Sequence, residues 1–231
     1  MLAAQRLLAF GKIYETDVQG RDCGFDMKEK PSVSYETKIS VQAQPLPEFI
    51  AAYQHQEKYL AYCKDCKNYG ARWSCPPLGF NVQEFLLPYR WMTVAAVQIL
   101  FSEETLANTE EKEVKEVSYQ AIFPVKDRLH DAMLLAERKA PQCVSLSSGG
   151  CTLCPSCTRP DGLPCRQPQR MRYSLDSFGF DLAAITENLL GIQLLWCRGK
   201  LPAYYTLIHA LLGQEAQVVT VREILRETFA F

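Results

Sequence analysis

The chain has no excess of charge. It carries 25 Lys and Arg against 26 Asp and Glu, a net charge of -1. Nothing electrostatic therefore points to nucleic acid or to an anionic membrane surface. Long apolar runs are also missing. The longest, such as 94–97 and 99–101, are far too short to span a bilayer. The opening stretch MLAAQRLLAFGKIYE has no long apolar region and no cleavage site, so no signal peptide is expected and a cytoplasmic location is. Several motifs are absent as well. There is no G-x-G-x-x-G, no P-loop, no nucleophile elbow and no radical-type C-x3-C-x2-C. Histidine is scarce, with three in 231 residues.

Cysteine is abundant, with ten residues. In an exported chain ten would suggest disulfides; without an export signal they point to metal or redox chemistry. Seven fall into two groups. The second, within 149–181, holds Cys151, Cys154, Cys157 and Cys165, spaced C-x2-C-x2-C-x7-C, with Pro164 and Pro168 beside the last. Tetrahedral zinc sites usually take separated C-x2-C pairs. A C-x2-C-x2-C triple with a later cysteine near a proline is the pattern of an iron–sulfur cluster. The expected cofactor is therefore an iron–sulfur cluster, one or two and of the 4Fe-4S type, with zinc as the alternative. The first group, Cys63, Cys66 and Cys75, is spaced C-x2-C-x8-C and closes on Pro76 and Pro77. Cys23, Cys143 and Cys197 stand apart, and Cys23 reads as a free thiol.

The rest of the chain interleaves strands and helices. Residues 1–30 read as an N-terminal extension with a short helix over 2–10, and 31–231 as a cysteine-rich α/β domain. Alternation of Val33, Tyr35, Thr37, Ile39 and Val41 predicts a half-buried strand. Pro45 and Pro47 start a helix carrying Phe49, Ile50, Tyr53 and Leu60 on one face. A short helix follows over 82–87. The mostly apolar run 92–101 predicts a buried central strand. A solvated, glutamate-rich helical stretch covers 102–116. Pro124 is expected to interrupt the helical pattern, with a second long helix from Val125 to about Lys139. A short strand over 142–147 leads through Gly149 and Gly150 into Cys151; glycines there let backbone N–H groups approach cluster sulfurs. Asp181 predicts an N-cap for a helix over 182–190 that ends at Gly191. A strand over 203–212 and a final helix burying Val221, Ile224, Leu225 and Phe229 complete the chain; Thr220 and Glu223 look like its capping box. The expected fold class is α/β: a single domain, a mixed β-sheet packed by helices, and two cysteine-rich metal-binding loops that converge on one side of the sheet.

These motifs resemble a cysteine-rich family of predicted metal-binding proteins common in anaerobic bacteria and methanogenic archaea. The matching residues are Gly150, Cys151, Cys154, Cys157, Pro164, Cys165, Arg166, Pro168, Arg172, Ser174, Asp176 and the run Gly179-Phe180-Asp181-Leu182. Tyr69-Gly70 and Trp73-Ser74-Cys75-Pro76-Pro77 look like its other hallmark. The likeness covers about 35–212. Asp176 stands where the family pattern has glutamate, and the first 30 residues lie outside the likeness. The resemblance implies a bound metal and no particular reaction.

Two four-iron clusters need eight thiolates, and the two groups supply seven. Three readings remain open: Cys143 or Cys23 supplies the eighth; a three-cysteine cluster keeps an open iron able to act as a Lewis acid; or there is a single shared site, with some of the seven structural. His55 reads as a wet-face residue rather than a ligand, and His130 and His209 as structural. Arg159, Arg166, Arg170 and Arg172 either steady an anionic cluster or bound anion, with Arg166 and Arg172 the cofactor-binding candidates, or pair with Asp161, Asp176 and Asp181. Ser174 and Asp176 read as caps or supports. The expected function is an iron–sulfur protein with an electron-transfer or redox role and a redox protein partner. The alternatives are a zinc-stabilised interaction module and an enzyme using an open-iron cluster.

Overall fold

Strand β2 (Trp91–Phe101) is buried along nearly its whole length, because both of its faces are covered. In the computed structural model, which describes residues 33–230, it pairs on one side with β1 (Tyr35–Pro45) and on the other with β4 (Tyr204–Gly213). The three-residue strand β3 (Val144–Leu146) adds to β4, giving the order β1-β2-β4-β3. All three pairings are antiparallel, so the sheet differs from the mixed one expected. Parallel pairing among the described residues is an isolated bridge, Ser147 with Ser174. The expected helix over 2–10 and Cys23 lie outside the described residues.

Side chains alternate across the sheet and define two cores. Ala95, Val97, Ile99 and Phe101 of β2 face α5 (Val114–Lys139) and α7 (Val218–Phe229). Met92 and Val94 face the other way, toward α1 (Leu46–Tyr53), α3 (Val82–Leu86) and α6 (Leu182–Leu190). That second core also takes Leu175, Phe178 and Phe180, which follow the second cysteine motif. Burying three such side chains stabilises the motif's anchor by about 5–9 kcal/mol. No helix among the described residues is long and apolar enough to cross a membrane.

Three local readings change. Helix α5 runs straight through Pro124. The proline lies on the exposed face, while Val117, Ala121, Val125, Leu129, Ala132, Met133 and Ala136 are buried along the other. A proline inside a helix costs about 3 kcal/mol, and that buried stripe outweighs it. The helix begun at Pro45 splits in two. It stops after Tyr53 and restarts as α2 (Gln56–Lys64), because backbone groups of 53–55 bond to the second motif instead. Asp181 N–H donates to Tyr53 C=O at 2.8 Å and His55 N–H to Gly179 C=O at 2.8 Å. Leu60 therefore sits on α2, which buries none of its residues fully. Helix α7 starts one turn before the expected capping box. Gln217 is its N-cap, and the Thr220 hydroxyl bonds only to the Gln217 side chain. The helix over 182–190 forms as expected, with the Asp181 carboxylate accepting from Ala184 N–H at 3.0 Å and Gly191 ending it. A short helix, α4 (Glu103–Asn108), fills part of the glutamate-rich stretch.

Candidate metal centre

The first cysteine group begins in the last turn of α2 with Cys63. Tight backbone bonds fold the following loop: Cys66 N–H to Cys63 C=O, Tyr69 N–H to Cys66 C=O, and Gly70 N–H across to Pro76 C=O at 2.8 Å. Cys75 is buried and Cys66 exposed. The Cys75 sulfur lies 3.6 Å from the Ser74 hydroxyl.

The second group leaves the sheet edge through Ser147, whose N–H donates to Tyr173 C=O while its C=O accepts from Leu175 N–H. These bonds hold the two ends of the motif side by side. Between them, Cys151, Cys154, Cys157 and Cys165 line one recess together with Arg72, Trp73, Arg166 and Gln167. Two of the sulfurs already accept hydrogen bonds. Gln167 gives its backbone N–H to Cys165 Sγ at 3.4 Å and its side-chain amide to Cys154 Sγ at 3.5 Å. Donors of this kind stabilise the charge of sulfur ligands.

The two loops interlock. The Arg72 guanidinium donates to Cys151 C=O at 2.5 Å, and Cys151 N–H donates to the Ser74 hydroxyl at 2.8 Å. Arg159 reaches back to Arg72 C=O at 2.7 Å, to Cys75 C=O at 2.5 Å and to Pro77 C=O, and packs over the Trp73 ring. Trp73 in turn donates to Leu163 C=O at 3.2 Å. Gly150 is a contact point. A Cβ there would lie 2.9 Å from the Asn68 amide nitrogen and 3.0 Å from Arg72 Cδ. This glycine thus leaves room for the two loops to meet.

Four of the seven thiols share the recess of the second group, and Cys75 lines neither it nor the next. Cys63 and Cys66 line a separate recess with Asp176, Asp181 and Trp196. Burial pushes the Cys63 thiol up to about 11, helped by the charges of Asp176, Cys75 and Cys66. Burial also raises Cys75, with Asp176 and Cys66 adding to it and the Ser74 hydrogen bond opposing it. In the second group burial raises Cys151, with Cys165 and Cys154 adding and Lys126 opposing. A cation binding to these sulfurs must displace protons. Among the described residues, no three His, Cys, Asp or Glu side chains are gathered to hold a metal ion as they stand.

The remaining candidates fall outside both recesses. Cys143 lies before β3, at the end away from the second loop, where a Cβ on Gly213 would meet its sulfur at 2.7 Å. Cys197 is exposed. His55 is exposed. His130 bonds to Arg170 C=O and His209 to the Ser148 hydroxyl; burial pushes both below the ordinary imidazole range, His209 farthest. Arg166 braces the second loop through Ser156 C=O at 2.8 Å. Arg172 is held by Glu137 of α5 in a two-pronged pair at 2.6 and 2.5 Å, with both side chains largely buried. Arg170 pairs with Asp131. Arg170 and Arg172 therefore pair with α5, Arg159 and Arg166 bond to loop carbonyls, and the ion pairs of the described residues join none of the four to Asp161, Asp176 or Asp181. Asp176, read from sequence as a cap or support, opens the 3-10 turn Asp176–Phe178 and leaves its Oδ1 buried without a partner. The available signal for it was arithmetic: a group one ligand short, and an oxygen donor in the other motif.

Comparison with curated proteins and with solved structures found no match. A family model does match, over residues 50–211, and it spans both cysteine loops and the strands β2, β3 and most of β4 between and behind them. The chain therefore belongs to the family described as "Predicted metal-binding protein (DUF2284)".

Proposed function

We propose that this metal-binding protein carries iron–sulfur clusters on its two cysteine loops and serves in electron transfer or a related redox step. One observation carries the reading. All four sulfurs of the C-x2-C-x2-C-x7-C motif line a single recess, and two of them already accept N–H hydrogen bonds. Cys151, Cys154, Cys157 and Cys165 would hold one cluster; Cys63, Cys66 and Cys75 would hold part of a second. Such a cluster, when bound, takes up and releases single electrons. The chain's own part is to hold charge and position. Gln167 donates to the sulfurs, and the Arg72 and Arg166 guanidinium groups border the recess, favouring an anionic occupant. Arg159 and Arg72 tie the two loops at a fixed separation. The exposed Cys66 brings the first site to the surface, where a redox protein partner would meet it. Nine described cysteines are unpaired thiols, which suits a reducing, cytoplasmic setting.

Anaerobic purification followed by paramagnetic resonance tests the reading. The protein is expected to be brown and to give a cluster signal after chemical reduction. A colourless protein holding stoichiometric zinc, oxygen-stable and unfolding with chelator, would replace the reading with a zinc-stabilised module.

A further inference from the structure

The first cysteine group has three thiols, one short of a four-ligand site, and Asp176 of the second motif shares a recess with two of them. Asp176 opens a 3-10 turn that packs on α2, the helix bearing Cys63. The approach is close: a Cβ on Gly179, just beyond the turn, would lie 2.5 Å from Gln56 Cα. Phe178 and Ser177 are buried behind Asp176, so the turn is held in place. Asp176 Oδ1 is buried and accepts no hydrogen bond. A buried carboxylate oxygen with no donor is an unmet demand that a bound water or ion can meet. Cys63 and Cys66 line the same recess. The nearby ammonium of Lys126 is engaged by Gly150 C=O at 2.7 Å. Two thiols and a carboxylate line this recess, and Cys75 follows Cys66 on the same loop. Cys143 and Cys197 line neither recess.

We propose that Cys63, Cys66, Cys75 and the Asp176 carboxylate together form the second cluster site, with the carboxylate on the iron that no thiolate reaches. The proposal rests on the iron–sulfur reading above. It adds that this iron differs from its three neighbours. A carboxylate is a harder and weaker donor to cluster iron than a thiolate, so this iron is the one most easily lost or exchanged.

The test compares the full-length wild type with Asp176→Asn and Asp176→Cys, all purified anaerobically. The readouts are iron, acid-labile sulfide and paramagnetic resonance, before and after mild oxidation. The wild type should hold about eight iron per chain and lose about one on oxidation, with a three-iron signal appearing. Asp176→Asn should lack about one iron in eight before any oxidation. Asp176→Cys should keep the full count and resist the oxidative loss. Should Asp176→Asn not fold, the cysteine variant decides alone. Iron count, spectrum and oxidative loss unchanged in the variants would overturn the Asp176 assignment and leave the iron–sulfur reading standing. A wild type without iron and sulfide would overturn both.

Discussion

The two cysteine loops are built differently. The second takes all four thiols from one stretch of 15 residues, 151–165, closes on itself through Gln167, and rests on the apolar anchor of Leu175, Phe178 and Phe180. The first draws Cys63 from a helix end and Cys66 and Cys75 from a loop, and comes beside Asp176, its proposed fourth donor, only where the 3-10 turn packs on α2. A site drawn from one stretch is carried by local sequence; a site drawn from three elements depends on tertiary packing. The first should therefore be the more easily broken, and most sensitive to the contacts that hold the loops together.

The largest expected effect separates the two. Cys157→Ala and Cys75→Ala should each remove about half of the iron, leaving the other site's resonance signal intact. Loss of all iron in either variant would mean one shared site. Next in size is the clamp from α5. Glu137→Gln should destabilise the fold by about 3 kcal/mol, read by chemical denaturation, since it leaves Arg172 largely buried without its charge partner. This pair also sets a pH response. Burial pushes the Glu137 pKa up, but the bonds from Arg172 and Ser145 outweigh it, and the net position is below the ordinary carboxylate value. A carboxyl depressed on folding stabilises above its unfolded pKa, about 4.3, and that contribution fades as pH falls through the folded value. The wild type should lose stability over this acid range, and Glu137→Gln should show a flatter profile.

Arg159→Ala bears on the contact between the loops. It removes donors to three carbonyls of the first loop and a stack on Trp73. A loss of about 2 kcal/mol is expected, lowering Tm by roughly 4–8 °C for a domain of this size. The sharper readout is iron: the first site should lose it before the second. Equal loss from both would mean that the two sites depend on the contact alike. The smallest effect lies away from both. Pro124→Ala should stabilise the helix by about 1 kcal/mol, the restored backbone bond outweighing the added freedom of the unfolded chain, and leave both sites unchanged.

Legibility in the sequence follows the same division. The 92–101 run, the Asp181 cap and the final helix's buried face were readable because burial and capping act on neighbours in the chain. The four-thiol motif was readable for that reason too. The break after Tyr53 was not, because its cause is a set of backbone bonds to Gly179 and Asp181, more than a hundred residues on. Nor was the unbroken helix through Pro124, where tertiary packing of one face overrides a local penalty. Antiparallel pairing of β3 with β4, and the partnership of Arg172 with Glu137, likewise depend on where elements land. Asp176 is the instructive case. The sequence reads it as a cap or support, and only the approach of α2 sets it beside Cys63 and Cys66 of the first group.

The most direct test of a two-site iron–sulfur protein is the metal itself. Iron and acid-labile sulfide should be counted per chain in full-length protein purified without oxygen. The account predicts about eight of each. Zinc in place of iron, with no sulfide, would contradict it.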